Sequence, residues 1–87
     1  MPYRVEVKKS AVKEIAALPR RDQRRVVRAI DALADEPRPE GVRKLTGAED
    51  VYRIRVGDYR IIYQIADNVL TVLVVRVGHR KDVYRRK

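Results

Sequence analysis

A Gly57-Asp58 pair between two alternating segments constrains the fold of this 87-residue chain more than any other feature. Arginines alternate with apolar residues in VYRIRV before the pair, and the alternation resumes in YRIIY after it. Alternation at a period of two predicts β-strands, and a two-residue loop that contains glycine predicts a tight hairpin. In that hairpin Arg55 lies directly opposite Arg60, and Arg53 lies two places along the same face. The segment therefore predicts a sheet with three arginines on one face and tyrosines and isoleucines on the other.

Three like charges on one face leave two interpretations open. Like charges directly opposite each other destabilise an isolated sheet. A bound polyanion would offset this repulsion, and the planar guanidinium group matches phosphate oxygens two at a time. The alternative is a solvated polar face above a core of tyrosine and isoleucine.

Composition predicts one domain, residues 1–87, with a positive field concentrated in its second part. The chain is 45% hydrophobic, which is ordinary for a globular domain, and its length leaves room for one core. It has no cysteine, which excludes a disulfide framework and a thiolate metal site. Nine basic and three acidic side chains in residues 51–87 give +6 of the total net charge of +9. This distribution favours nucleic acid or an acidic protein as the partner.

The sequence predicts neither export nor membrane insertion. The N-terminal MPYRVEVKKS becomes charged too soon for a signal peptide, and the longest mostly apolar stretch, Val69–Val75, is too short to span a bilayer. Phenylalanine and tryptophan, which anchor interfacial helices, are absent. We therefore expect a cytoplasmic protein with no membrane partner.

The remaining patterns predict an α+β fold in the order β-α-α-β-β-β. An antiparallel sheet is covered on one face by a helical hairpin, and a short C-terminal tail or helix follows. Ser10 is the expected N-cap of the first helix, and Pro19 ends it. The predicted elements are a strand over Tyr3–Lys8, helices over Ser10–Leu18 and about Arg21–Ala34, and strands over about 51–56, 59–65 and 69–77.

Two further expectations concern which residues share a face. The second helix should bury Val26, Ala29, Ile30 and Leu33. A tight second turn at Asp67-Asn68 would place Leu70, Val72 and Val74 toward the helices, and Thr71, Leu73, Val75 and Val77 on the arginine side.

Together these residues resemble the RelE/ParE superfamily of bacterial and archaeal toxins, and in particular the RelE-type messenger-RNA interferases. The resemblance lies in KLTG, VYRIRVGDYRIIYQI and VGHRKDVY, with Leu18-Pro19 and Glu36-Pro37 as further matches. It implies a toxin that cuts messenger RNA in the ribosomal A site and is silenced by a RelB-like antitoxin. It also implies chemistry without a metal or other cofactor, in which the 2′-hydroxyl of the substrate attacks the adjacent phosphate and a 5′-hydroxyl leaves.

The resemblance assigns roles to five residues. Arg53 and Arg55 correspond to basic positions of the core hairpin, and Arg60 to the arginine that grips the phosphate. Arg80 corresponds to the arginine of the glycine-x-arginine turn, and Tyr84 to the C-terminal tyrosine. The best-known RelE-type enzymes have lysines where this chain has Arg53 and Arg55. Because a guanidinium group cannot lose its proton in a protein, these two residues are expected to stabilise transition-state charge rather than act as a base.

His79 and Tyr84 each allow a catalytic and a structural interpretation. His79 is the single histidine and the natural candidate for general acid–base catalysis, or else it caps a turn or contacts ribosomal RNA phosphate. In the catalytic interpretation it is expected on the same sheet face as Arg53, Arg55 and Arg60. Tyr84 either stacks on an unpaired base or packs the tail onto the sheet.

The second helix carries a basic stripe at i, i+3, i+4 and i+7, formed by Arg21, Arg24, Arg25 and Arg28. This stripe is either a solvated helix face or a contact with the ribosomal RNA backbone. No metal site is predicted, because the acids of the basic C-terminal part are scattered over turns and tail.

Two other functions on the same fold remain open. One is a ParE-like toxin that inhibits DNA gyrase without cutting nucleic acid. The other is an inactive relic that retains only antitoxin binding.

Overall fold

Five strands form one sheet in this computed structural model, in which residues 2–45, 47 and 49–79 are described. The strand order across the sheet is β1-β5-β4-β3-β2. Along the chain the elements are β1 (Arg4–Val7), α1 (Lys9–Ala16), α2 (Arg20–Ala32), β2 (Arg43–Lys44), β3 (Val51–Val56), β4 (Tyr59–Ala66) and β5 (Thr71–His79).

The predicted α+β fold is confirmed, with two differences at the edges of the sheet. The strands β3, β4 and β5 form the expected antiparallel meander. The edge strand β1 pairs parallel to β5, because the helical hairpin carries the chain back over the sheet before the meander begins. The other edge strand, β2, was not predicted, since two residues are too few to show alternation.

The first helix begins one residue earlier than expected. Lys9 is its first residue and Lys8 is the N-cap, with no side-chain hydrogen bond to the helix. Ser10 already lies inside the helix, so its predicted N-cap role is wrong. The backbone N–H of Val12 bonds instead to the carbonyl of Lys8, which begins the helical pattern without a side-chain cap.

The joint between the helices is short: α1 ends at Ala16, two residues earlier than predicted, and Pro19 is the N-cap of α2. Its extended backbone makes it the N-cap of α2, where the absence of an N–H costs nothing. The side-chain Nε2 of Gln23 donates to the carbonyls of Ala16 and Leu18, at 3.2 Å and 2.8 Å. These bonds satisfy carbonyls at the end of α1 that have no partner within their own helix.

The core lies between the helical hairpin and one face of the sheet. Val26, Ile30 and Leu33 are buried as predicted, and Ala29 packs beside them. Alternation on the strands supplies the other half of this core, formed by Ile54, Ile61, Tyr63, Ile65, Val72, Val74 and Val77. We call the side of the sheet that packs on the helices the helix face, and the other side the arginine face.

A β-bulge shifts the register of β5 against β4. Tyr63 pairs with Val74, but the preceding residue, Ile62, pairs with Arg76, so Val75 has no opposite residue. Val77 therefore lies on the helix face and is 1% exposed, and its predicted place on the arginine face is wrong. The expectations for Thr71, Leu73, Val72 and Val74, which precede the bulge, are confirmed.

The second turn is longer than predicted. A short 3-10 helix, Asp67–Val69, is followed by Leu70 in the left-handed region at φ +48°. Leu70 is 38% exposed rather than packed toward the helices, so that expectation is wrong. Among the described residues no helix has the length and apolar character needed to cross a membrane.

Candidate nucleic-acid interface

The hairpin at Gly57-Asp58 has the predicted register. Val56 pairs with Tyr59, and Arg55 pairs with Arg60. Gly57 adopts φ +60° while Asp58 keeps a negative φ, which is the pattern of a type II′ turn with glycine at its first central position. Arg53 and Arg55 share the arginine face with Arg60, as the sequence predicted.

Two cross-strand rows define the centre of the arginine face. The first row places Arg60 between Arg55 on β3 and Gly78 on β5. Gly78 contributes no side chain on that side of Arg60. The Nε atom of Arg60 is buried, so the base of this side chain is held within the sheet surface.

The second row contains an arginine that sequence reasoning missed. Ile62 is 8% exposed and lies between Arg53 on β3 and Arg76 on β5. On the far side of Arg53, the short strand β2 adds Arg43, which pairs directly with Arg53. Arg43 therefore adds a positive charge beside the predicted hairpin. The sequence did not indicate this position, because it follows from the pairing of β2 with β3.

A cavity of about 420 Å³ lies where β2 meets β3. It is lined by Gly41, Arg43, Arg53 and Arg55. Arg43 and Arg55 are exposed, and Arg53 is half-buried. Among the described residues, this lining consists of three arginines and a glycine.

A carboxylate neutralises Arg76 at the β5 side of the arginine face. Glu14 accepts a hydrogen bond from the backbone N–H of Val77 at 2.7 Å, and its other oxygen lies 3.4 Å from Nε of Arg76. In the described part of the chain, no carboxylate lies within ion-pair distance of Arg43 or Arg55. The positive charge of the cavity is therefore uncompensated at these two side chains.

His79 does not share the face of Arg60. The register pairs His79 with Tyr59, and their rings meet edge to face at 6.1 Å on the helix face. The expectation that His79 belongs to the arginine face is wrong, because the bulge changes the phase of β5 before its last residues. The hydroxyl of Tyr59 donates to Asp22 at 2.8 Å, which raises the pKa of Tyr59. Proton transfer by His79 stays a prediction.

The basic stripe of α2 is exposed, and one member reaches the hairpin turn. Arg25 lies over Gly57, where an added Cβ would come within 2.8 Å of its Nη2 atom. The same guanidinium group is 3.9 Å from Asp22. The positive φ favours glycine at position 57, and an added Cβ would also displace the Arg25 guanidinium group. RNA contact by Arg21, Arg24, Arg25 and Arg28 stays a prediction.

A network around Arg38 anchors the connector that leads to β2. Arg38 donates from Nη1 and Nη2 to the two carboxylate oxygens of Asp67, at 3.2 Å and 2.9 Å. Its Nε donates to the hydroxyl of Tyr52 at 3.3 Å, and its guanidinium carbon lies 5.1 Å from the centre of that ring. Tyr3 donates to Asp67 at 2.6 Å. Hydrogen bonding, chiefly from Arg38, lowers the pKa of Asp67.

Tyr63 supports the same connector from within the core. Its hydroxyl donates to the carbonyl of Pro37 at 2.8 Å, and its ring stacks on Tyr52 at 6.1 Å between centres. Burial raises the pKa of Tyr63. The tyrosines predicted for the core thus do more than fill it, because they fix the segment from which β2 starts.

The arrangement is suited to binding anions and stabilising negative charge. Residues 2–45, 47 and 49–79 contain no group of three side chains that could hold a metal ion. Two predicted site residues, Arg80 and Tyr84, lie outside the described residues.

Comparisons with known proteins give one family across nearly the whole chain. Residues 5–84 match the family described as "ParE toxin of type II toxin-antitoxin system, parDE". The chain is 39% identical to "Toxin RelG" of Mycobacterium tuberculosis, over 99% of this chain and 100% of that protein. It is 31% identical to "mRNA interferase toxin RelE" of Escherichia coli, over 97% of this chain and 92% of that protein.

A solved structure shares both the fold and part of the sequence. It is described as the "archaeal RelE-RelB complex from Pyrococcus horikoshii". The TM-score is 0.83 at 36% identity, and the match covers 94% of this chain and 99% of the other.

Proposed function

This chain belongs to the RelE/ParE superfamily of toxins from type II toxin–antitoxin systems, and on that premise we propose that it is a ribosome-dependent endoribonuclease that cleaves messenger RNA. The observation that carries the proposal is the pairing of Arg55 with Arg60, with Arg53 beside them on one face. A bound polyanion such as RNA would offset the repulsion between these paired charges. The name of the Escherichia coli relative as an mRNA interferase supports the same activity.

In the proposed reaction the substrate supplies its own nucleophile. The 2′-hydroxyl oxygen bonds to the adjacent phosphorus while the bond from phosphorus to the 5′-oxygen breaks. The products are a 2′,3′-cyclic phosphate and a 5′-hydroxyl, and the proton lost from the 2′-oxygen is balanced by the one gained at the 5′-oxygen. No metal or other cofactor takes part in this proposal.

Arginines contribute to such a reaction through charge. Negative charge builds on the phosphate oxygens as the fifth bond forms, and donors that already point at that position stabilise it without reorganisation. Arg60 has its base fixed within the sheet, which suits a bidentate contact with the scissile phosphate. Arg55 stands opposite and can donate to the same group. Neither can act as a base, because the guanidinium group stays protonated.

We propose that a RelB-like antitoxin is the protein partner and that the toxin works in the cytoplasm, in the ribosomal A site. Solved relatives are described as RelE–RelB complexes, including those from Pyrococcus horikoshii and Mycobacterium tuberculosis. The uncompensated charge at Arg43 and Arg55 supports contact with RNA or with an acidic inhibitor.

A ParE-like toxin that inhibits DNA gyrase is the second candidate. The family match itself carries the ParE description, which favours this alternative. The arginine face favours the nuclease, because Arg43, Arg53 and Arg55 line one cavity and can contact the phosphates of an RNA strand. A supercoiling assay run beside a translation assay separates the two.

The decisive experiment uses ribosomes programmed with a defined message and stalled with an empty A site. We expect cleavage by the wild-type protein, and a loss of about 100- to 1000-fold in the single-turnover rate for Arg60→Ala. Arg4→Ala is the matched control, because Arg4 lies on the same face at the far edge strand and is paired with Glu6. Equal rates for the folded Arg60→Ala protein and the wild type would refute the assignment.

The internal nucleophile has its own test. A message with a 2′-deoxy nucleotide on the 5′ side of the cut should resist cleavage at that position. Cutting of this analogue at the normal rate would exclude attack by the 2′-hydroxyl.

A further inference from the structure

We propose that the cavity between β2 and β3 is a second phosphate subsite, which binds a backbone phosphate of single-stranded RNA that flanks the phosphate at Arg60. This inference rests on the proposed function for its substrate class. Its new element is Arg43, which no hairpin pattern contains and which pairs with Arg53 at the edge of the sheet. The cavity of about 420 Å³ is lined by Arg43, Arg53 and Arg55 and does not include Arg60.

Strand spacing separates the two phosphate positions. Neighbouring strands lie about 4.8 Å apart, so β2 and β4 are separated by about 10 Å. Arg43 projects from β2, and Arg60 projects from β4. A polymer with repeated phosphates can occupy both positions at once, whereas a single phosphate held at the base of Arg60 leaves the cavity unfilled.

The connector keeps the mouth of the cavity clear. Gly41 lines it at φ +89°, and a Cβ added there would meet no atom within 4 Å. The carbonyl of Pro37 and the side chain of Arg38 hold this connector to Tyr63 and Asp67. The position of Arg43 beside Arg53 is therefore fixed by a hydrogen-bonded frame.

The positions of the carboxylates indicate in which direction the RNA backbone runs from Arg60. On the β5 side of Ile62, Arg76 is neutralised by Glu14 at 3.4 Å. On the β2 side, Arg43 and Arg55 have no carboxylate within ion-pair distance among the described residues. An RNA backbone that leaves Arg60 therefore gains more by passing toward β2 than toward β5.

The lining of the cavity favours phosphate over an acidic peptide. Three guanidinium groups around one space match the several oxygens of a phosphate, each pair of which can accept from one planar fork. A peptide segment gains much of its affinity from apolar anchors, and the described residues that line this cavity offer no apolar side chain. By contrast, the cavity of about 310 Å³ on the other side of β3 is lined mainly by apolar groups such as Leu33 and Ile54.

The test compares two neutralising variants on the same two-residue strand. Arg43 pairs with Arg53 on the arginine face, whereas Lys44 pairs with Tyr52 and points to the opposite side. Arg43→Gln and Lys44→Gln remove the same charge from adjacent positions. The probe is a short single-stranded RNA that is 2′-deoxy at the cut position, and its binding is measured by fluorescence anisotropy over a range of salt concentrations.

Arg43→Gln should weaken binding about tenfold at low salt, as expected for one lost charge-assisted contact. It should also reduce the slope of log K against log salt by about 0.7, which corresponds to one phosphate of a single strand. Lys44→Gln should leave the slope unchanged. Arg43→Lys should restore the slope, because the charge returns, but only part of the affinity, because the planar fork does not.

A neutral methylphosphonate placed at each phosphate in turn identifies the contact. One flanking substitution should weaken the wild type about tenfold and have no further effect on Arg43→Gln, since both remove the same interaction. Equal slopes for Arg43→Gln and the wild type, equal losses for both glutamine variants, or no RNA binding by the wild type would overturn the subsite. Binding of a glutamate-rich peptide that depends on Arg43 while RNA binding does not would overturn it in favour of a protein anion.

The experiments distinguish a failure of the subsite from a failure of the proposed nuclease function. If wild-type protein fails to cleave messages on ribosomes while the slopes still differ between the two glutamine variants, the nuclease assignment fails and the subsite stands. If cleavage occurs and the slopes agree, the subsite fails and the nuclease stands.

Discussion

Two groups of arginines in this protein have opposite surroundings. Arg38 lies at the surface but has partners from its own chain, with a bidentate pair to Asp67 and a hydrogen bond and ring contact to Tyr52. Arg55 faces another arginine across the hairpin, and Arg43 borders a cavity with no carboxylate near it among the described residues. The same side chain thus serves as an internal anchor in one region and as a receptor for anions in the other.

This difference predicts that stability and activity separate between the two regions. Removing an arginine that already has partners breaks its ion pair and hydrogen bonds, so the folded state is destabilised, by a modest amount where the partners are exposed to solvent. Removing one that faces a like charge relieves repulsion, so the folded state is hardly affected or slightly stabilised. Activity should fall when an arginine of the second kind is removed and should change little when Arg38 is removed, because only the second kind contacts the substrate.

Among the variants that compare these two regions, the largest effect is expected for Arg55→Ala on cleavage. Losing one preorganised donor to the transition state should lower the single-turnover rate on programmed ribosomes by about 100-fold. The midpoint of thermal unfolding should stay the same or rise. A fall in stability with normal cleavage would show that Arg55 is an anchor like Arg38.

Tyr63→Phe tests how much the buried hydroxyl of Tyr63 stabilises the connector that leads to β2. The change removes the hydrogen bond to Pro37 at 2.8 Å and leaves a carbonyl without its donor, which should cost about 1–2 kcal/mol in the free energy of unfolding by urea. Its ring volume is kept, so no cavity forms. An unchanged urea midpoint would show that the hydroxyl of Tyr63 does not stabilise the connector.

The same tyrosine predicts a loss of stability in alkali. Because the pKa of Tyr63 is raised in the folded state, its contribution is fully present below the ordinary tyrosine pKa of about 10 and is lost as pH rises above it. The wild type should therefore lose stability above about pH 10 more steeply than Tyr63→Phe. Parallel pH profiles of the two proteins would contradict this prediction.

The smallest effect is expected from acid at Asp67. Its pKa is lowered in the folded state, so its contribution is present above the ordinary carboxyl pKa of about 4 and is lost as pH falls through the lower folded value. Asp67→Asn should flatten this part of the stability profile. The side chain is about half exposed, so solvent screening keeps the effect modest.

The sequence predicted the hairpin and its three arginines because alternation and a glycine turn are local signals. It missed Arg43 because a two-residue strand has no period, and its pairing with Arg53 depends on the whole connector. The misplacement of His79 has a similar cause. The run VLVVRV carries β-branched residues on both faces, so nothing in it indicates where the bulge at Val75 shifts the phase.

The Arg38 network was also beyond the reach of pattern reasoning. Its members, Tyr3, Arg38, Tyr52 and Asp67, come from four separate segments and share no spacing. One signal was available, since prolines on both sides of Arg38 restrict the backbone and suggest that its direction matters. The helical core, by contrast, was readable from Val26, Ile30 and Leu33 at helical period.

The most direct test of the separation between anchors and receptors is a double-variant cycle of Arg38→Ala and Arg55→Ala, with unfolding free energy and ribosomal cleavage rate measured on each protein. The double variant should unfold like Arg38→Ala alone and, where still folded, cleave like Arg55→Ala alone, because distant sites act independently. A loss of cleavage in folded Arg38→Ala as large as that in Arg55→Ala, or a loss of stability in Arg55→Ala as large as that in Arg38→Ala, would contradict the account.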